Sequence, residues 1–309
     1  MKLKKIVWPT IGGLAVIFSL WLLYKELRGV SFREFASSLG DISPTGWLLS
    51  GLCTLAAYAA LAGYDHIALL HLKRRVPWLF ITLASFTTYA LSHNIGASVF
   101  SGAVVRYRAY TSQGLSGGEV GVLVALCSFT FALGTILLTG IVLVLEPRLG
   151  DRFLDLVPDH LTQGTGYILL GLVALYVIGS WLGLRPLKIG SFELTYPRLP
   201  IVARQLIIAP LELLAAAGIL YFALPAEGNP GFLIVLGIFL VSFSIALLSH
   251  APGGVGVLEL VFIMGLPDMD PAAVLAALVV FRFFYLIIPF VIALGIILVY
   301  ERRRLSEPD

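Results

Sequence analysis

Leu248-Ser249-His250-Ala251-Pro252-Gly253-Gly254-Val255-Gly256-Val257-Leu258-Glu259 follows a long apolar run and abruptly supplies a hydroxyl, an imidazole, a proline and three glycines. Proline lacks an N–H and glycine loses much backbone freedom on ordering, so a helix breaks here. In lipid, a broken helix is tolerated only where its freed backbone groups face protein or a watery cavity. The stretch therefore marks the point where an apolar scaffold gives way to something polar. Leu91-Ser92-His93-Asn94-Ile95-Gly96-Ala97-Ser98 echoes it: an apolar run, the same Ser-His pair, then glycine.

The composition around these two breaks is that of a membrane protein. Apolar residues make up 59% of the chain and charged residues 13%, with a mean hydropathy of +0.95. A soluble domain carries about 25% charged residues, so the chain reads as an all-α polytopic membrane protein. With 309 residues and about 20 per crossing, it has room for roughly six to eight segments and no soluble catalytic domain. Cys53 and Cys127 lie in apolar runs without a CxxC or metal spacing and read as small core residues. Lys2, Lys4 and Lys5 precede an apolar run over 6–24 that exceeds a signal-peptide core of about 7–15 residues and has no small-residue cleavage site after it. It reads as a retained first helix.

Further helices are expected over 44–69, 118–145, 164–184, 204–224 and 273–300, with a short interfacial helix over 32–39 and a small hairpin within 186–203. The runs 76–91 and 231–248 are shorter; each meets a polar break and continues, to about 106 and 265. Read as two re-entrant hairpins, they leave six full crossings with both termini in the cytoplasm. That places Lys2, Lys4, Lys5, residues 73–75, Arg106, Arg108, Arg185, Lys188, Arg198, Arg204 and residues 302–304 inside, as the positive-inside rule requires. A single crossing over 76–105 would split the clusters at 73–75 and 106–108 across the bilayer. The hairpins then enter from opposite sides, the mark of an inverted repeat covering 44–146 and 204–300. Discontinuous helices at such a repeat interface commonly hold the substrate site.

Charged residues within apolar spans cost about 2.5–3.5 kcal/mol each on insertion scales, so they need partners or water. Asp65, Glu212, Glu259 and Arg282 are in that position. Glu259 lies in the leg just before the last helix, which puts Arg282 within reach. The pair reads either as a staple for the hairpin or as a site in which Arg282 takes a phosphate while Glu259 orients it or meets a cation. Glu212 is a further candidate of the same kind, whereas Asp65 and His66, near a helix end, read as interfacial. Ser92, His93, Ser249 and His250 occupy the hairpin tips, where histidine either caps exposed carbonyls or faces a substrate. Gly96, Gly253, Gly254 and Gly256 would let backbone N–H groups converge on an anion at a half-helix N-terminus. Arg106 and Arg108 are either topology determinants or headgroup contacts. Gly114-Leu115-Ser116-Gly117-Gly118 matches GxSxG, but a nucleophile elbow needs a strand before it; here it reads as a loop and helix start. No HExxH, P-loop or dinucleotide fingerprint is present, no cofactor is implied, and nothing suggests nucleic acid.

Ser92-His93-Asn94-Ile95-Gly96 with Arg106-Tyr107-Arg108, then Gly114-Leu115-Ser116, and later Pro252 to Glu259, resemble the bacterial family of lysylphosphatidylglycerol synthetase transmembrane regions. This family is the flippase half of the multiple peptide resistance factor and its stand-alone relatives, and the resemblance covers roughly 6–300. It implies an inner-membrane protein that moves an aminoacylated phospholipid between leaflets and lowers sensitivity to cationic peptides. Bifunctional members add a cytoplasmic aminoacyl-transferase domain; this chain ends nine residues after Tyr300, so no such enzyme activity is expected. A phospholipid such as an aminoacyl-phosphatidylglycerol is the implied partner, alongside a homo-oligomer or a separate synthase. The rival readings are a non-transporting scaffold for a lipid-modifying enzyme and an ion-coupled solute transporter.

Overall fold

The computed structural model describes residues 32–95, 98–153, 158–183, 187–189, 192–194, 196–249 and 252–306. The expected first helix at 6–24 lies outside them. The short helix α1 spans Phe32–Gly40. Ser43 caps α2 (Pro44–His71) by accepting a hydrogen bond from the Gly46 N–H at 3.0 Å, with proline in the first turn where no N–H is needed.

The first interrupted run forms α3 (Trp78–Ile95) and α4 (Ser98–Thr111), which fold back on each other so that Gly102 lies against Thr88 and Ser92. In α5 (Gly117–Leu145), Ser116 is the N-cap of a capping box closed by Glu119. The serine of the GxSxG match is thus a helix start. A 3₁₀ turn at Pro147–Arg152 leads to α6 (Asp159–Trp181), which begins directly after Pro158, a turn earlier than its apolar pattern suggests. Strands β1 (Leu187–Ile189) and β2 (Phe192–Leu194) pair antiparallel, the small hairpin expected in this link.

α7 (Leu199–Ala223) leads to the second interrupted run: α8 (Phe232–Ser249), a turn at Pro252–Gly254, and α9 (Val257–Gly265). This pair also folds back, with Gly254 against Ala246 and Gly265 against Ile238. The last element runs from α10 (Pro271–Phe281) through a π-helical segment at Arg282–Ile287 into α11 (Ile288–Ser306).

Small residues set how these helices meet. α2 and α7 pack antiparallel: Gly46 faces the Phe222 carbonyl, the Ser50 hydroxyl donates to the Ile219 carbonyl at 2.9 Å, and Gly63 faces Ile208. A Cβ on Gly46 would lie 2.5 Å from that carbonyl oxygen, so the close approach depends on its absence, as is usual where helices meet in lipid. Gly134 of α5 meets Ala209 of α7 equally closely. A partly buried chain of hydrogen bonds joins the same helices to α6: Tyr176 to Gln205 at 2.8 Å, then Gln205 to Thr130 at 2.7 Å.

Six helices among the described residues are long and apolar enough to cross a membrane: α2, α5, α6, α7, α8, and the stretch Pro271–Val299. α8 is among them although the sequence reading places it in a re-entrant arm. At 18 residues it is about 27 Å long, close to the ~30 Å hydrocarbon core, so length alone does not separate dipping from crossing. The protein is an all-α polytopic membrane protein, with α6 the least covered of these six spans.

Candidate functional site

The second break is built by backbone that L side chains avoid. Gly253, Gly254 and Gly256 have φ of +58°, +65° and +81°; a left-handed residue with a Cβ costs roughly 1–2 kcal/mol. The turn makes Gly256 the N-cap of α9, and its N–H donates to Glu259 Oε2 at 2.8 Å. Glu259 Oε1 accepts from Arg282 Nε at 2.9 Å and also from Nη2, while Arg282 Nη1 donates to the Gly253 carbonyl at 2.7 Å. The expected Glu259–Arg282 contact is present, and it clamps both sides of the turn. The Gly256 N–H, one of those expected to cradle a phosphate, is already taken by this carboxylate.

Arg282 opens the π-helical segment, a distortion often found at functional sites. Pro289 lacks an N–H, so the Tyr285 carbonyl four residues earlier loses its α-helical donor. The Tyr58 hydroxyl donates to that carbonyl at 3.0 Å, and Asn94 Nδ2 donates to the Leu286 carbonyl at 3.1 Å. The end of α3 and the middle of the last helix are thereby tied together.

Between the two breaks lies a cavity of about 420 Å³ whose wall is mostly apolar. Its polar lining includes Ser92 and His93 on α3, Arg106 on α4, Ser128 and Thr135 on α5, Glu212 on α7, Ser244 on α8, and Gly253 and Gly254 at the second break. Arg106 is buried and forms an ion pair with Asp65, Nη2 to Oδ1 at 2.7 Å. Asp65 also accepts from the Tyr110 hydroxyl at 2.7 Å and from the Cys127 thiol at 3.4 Å, and the guanidinium stacks 4.7 Å above the Tyr89 ring. The interfacial reading of Asp65 is therefore corrected: it is fully buried, because the packing of α2 against α4 and α5 supplies a cation and two donors.

Glu212 is 2% exposed and is held by tyrosines, with Tyr285 donating at 2.7 Å and Tyr64 at 3.4 Å. No cation pairs with it among the described residues. His93 stacks on Tyr285 with ring centroids 5.2 Å apart, and its buried Nδ1 has no hydrogen-bond partner among the described residues. Buried polar atoms are normally satisfied, so this nitrogen at the cavity wall is an exception.

Of the sequence-derived candidates, Ser92, His93, Arg106, Glu212, Gly253 and Gly254 meet at this cavity, with Gly256, Glu259 and Arg282 directly behind the turn. Arg108 is exposed and lies off the lining. Ser249 donates to the Ala246 carbonyl of its own helix at 3.0 Å and is likewise outside it. Gly96 and His250 lie outside the described residues. The sequence reading missed the tyrosines at 64, 89, 110 and 285, which hold the carboxylates or cover the arginine; tyrosine is too common in membrane helices to signal this. Among the described residues no cluster of three His, Cys, Asp or Glu could hold a metal.

Comparison with known proteins agrees with an integral membrane protein. The chain is 29% identical to the uncharacterized protein slr0712 of Synechocystis sp., over 93% of this chain and 89% of that one. It is 28% identical to the inner membrane protein YbhN of Escherichia coli, over 98% and 94% respectively. It is 26% identical to the phosphatidylglycerol lysyltransferase of Staphylococcus haemolyticus over 95% of this chain, which spans 34% of that enzyme's length. A family model for the lysylphosphatidylglycerol synthase TM region matches residues 10–293, so the chain belongs to that family.

Proposed function

We propose that this protein moves a phospholipid with a cationic, aminoacylated headgroup between the leaflets of a bacterial inner membrane, with α3–α4 and α8–α9 as re-entrant arms of an inverted repeat. The observation that carries this reading is the cavity between the two breaks: an apolar wall, a paired arginine, a carboxyl group with no cation beside it and an orphan histidine nitrogen within about 420 Å³. That volume falls in the range of small-molecule sites, about 300–1,000 Å³. Taking a charged headgroup out of water requires polar groups in its place.

The charge balance favours a cationic headgroup. Arg106 and Arg282 are already neutralised by Asp65 and Glu259. Glu212 is left to meet an ammonium, and His93 Nδ1 to meet a headgroup polar atom. The antiparallel packing of α2 and α7, each followed by a folded-back pair, supports the inverted-repeat reading.

The experiment is reconstitution of the chain into liposomes with fluorescent-tailed lysyl-phosphatidylglycerol, followed by quenching of the outer-leaflet label. Acceleration over empty vesicles that is lost in His93→Leu is expected. Leaflet exchange equal to that of empty vesicles would leave the protein in a non-transporting role beside a lipid-modifying enzyme.

A further inference from the structure

We infer that Glu212 is a proton-exchange site: protonated in the empty cavity, it releases its proton when an ammonium takes its place, coupling lipid movement to a proton gradient. This rests on the proposed translocation of a cationic headgroup.

Four observations converge on the carboxyl. It is 2% exposed yet lines the cavity. Its hydrogen-bond partners among the described residues are hydroxyls, at 2.7 Å and 3.4 Å. A hydroxyl can donate to a carboxylate and accept from a carboxylic acid, so the same cradle serves both protonation states without rearrangement. The carboxyls at 65 and 259 differ, since each is locked to an arginine.

Among the described residues, the surrounding elements supply no competing cation. α2 contributes Tyr58, Tyr64 and Asp65; α3 contributes Tyr89 and His93; α4 contributes Arg106, committed to Asp65; α5 contributes Cys127. The π-helical segment contributes Tyr285 and Arg282, the latter committed to Glu259. The sides formed by α8 and α10 contribute Phe243, Ser244 and Phe281 and no ionisable group. α6 contributes Tyr176, which is bound to Gln205.

A buried ionised carboxyl is costly unless a cation meets it. Glu212 therefore has two satisfied states: the O–H bond intact, or the O–H broken, its proton given to water in the cavity and an ammonium bound in its place. Because the states exclude each other, proton and cationic lipid exchange one for one. Their net movements run in opposite directions, and the lipid gathers in the leaflet facing the more acidic compartment.

Two measurements on the full chain test this. In detergent and weak buffer, binding of lysyl-phosphatidylglycerol should release about one proton per lipid, read with a pH dye, while phosphatidylglycerol releases none. Glu212→Gln should abolish the release. In proteoliposomes, an imposed difference of one pH unit should shift the leaflet ratio of the labelled lipid about tenfold toward the acidic side, and not at all in Glu212→Gln.

Binding without proton release, release that persists in Glu212→Gln, or movement indifferent to the gradient overturns the inference and leaves the translocation reading standing. A lipid that neither binds nor moves removes the translocation reading and this one with it. If Glu212→Gln binds no lipid, Tyr285→Phe decides: it keeps the carboxyl and should move the pH midpoint of proton release, and an unmoved midpoint overturns the assignment.

Discussion

Replacing Asp65 with leucine removes the counter-charge of a guanidinium that is itself only 5% exposed. Arg106 then loses its 2.7 Å and 3.2 Å contacts to Oδ1, and Tyr110 loses its acceptor. Breaking a buried pair by removing one partner costs about 3–5 kcal/mol, roughly two to three and a half orders of magnitude in the folding equilibrium. The stacking on Tyr89 does not recover this, since a cation–π contact is worth about 2 kcal/mol when desolvated. Asp65→Leu/Arg106→Met removes both charges and should regain most of the stability lost in the single variant, because apolar replacement of a whole buried pair is often neutral. Reversible unfolding in mixed micelles, followed for the wild type, both single variants and the double, measures the coupling. The exposed Arg74–Glu119 pair is the control, since surface pairs contribute little. Additive single-variant losses, or an Asp65→Leu cost below about 1 kcal/mol, would refute the claim that the pair holds α2 against α4.

Arg282→Lys should slow leaflet exchange in liposomes, because an ammonium cannot span Glu259 and the Gly253 carbonyl as the guanidinium fork does. Arg282→Met should slow it further and destabilise the chain by about 1.5–3 kcal/mol, the worth of hydrogen bonds to a charged group. Asn94→Leu leaves the Leu286 carbonyl without its side-chain donor and should cost about 1–3 kcal/mol in the same unfolding assay. Gly134→Val places a branched side chain where a Cβ alone would lie 2.6 Å from the Ala209 Cβ. Overpacking of about 1–3 kcal/mol should lower the yield of monodisperse protein in size-exclusion chromatography.

The fold was legible wherever the relevant signal is local. Proline and glycine at 252–256 announce a break because backbone chemistry is written in the residue itself, and Ser116 announces a helix start in the same way. The Glu259–Arg282 contact was legible because few residues separate the two legs and the turn fixes their approach. The Asp65–Arg106 pair was not, because its partners lie 41 residues apart on elements whose packing the sequence does not encode locally. By hydropathy alone Asp65 sits near a helix end, where water is the default partner. The tyrosine cradle of Glu212 was hidden for a related reason: it is assembled from α2 and the last helix, and neither member is unusual in its own segment. The π-helical segment left a trace in Pro289, but only the donors from Tyr58 and Asn94 show that the freed carbonyls were provided for.

The two ion pairs bear on how an inverted repeat would work. Sliding the chain so that Ser92-His93 overlies Ser249-His250 sets Asp65 over Phe222 and Arg106 over Ile263, and sets Glu259 over Gly102 and Arg282 over Ala125. Neither pair has a charged counterpart in the other half. The arginine comes from the return leg in one half and from the following helix in the other, so the pairs are separate solutions rather than copies. Their exposure differs too. Asp65 and Arg106 have side chains 0% and 6% exposed, whereas Glu259 and Arg282 are at 13% and 18%. Breaking a pair shut off from water is strongly destabilising, so under the translocation reading it is expected to keep its geometry, while the more exposed pair, bonded to a glycine turn, is expected to re-form around a different carbonyl at lower cost. Under the translocation reading, the first pair is therefore a fixed wall of the cavity and the second is the part that moves. A disulfide or cross-link across Gly253 and Leu286, which lie near each other beside Arg282, should arrest leaflet exchange, whereas one joining α2 to α4 beside Asp65 should leave it running; the opposite pattern would place the moving element in the first half.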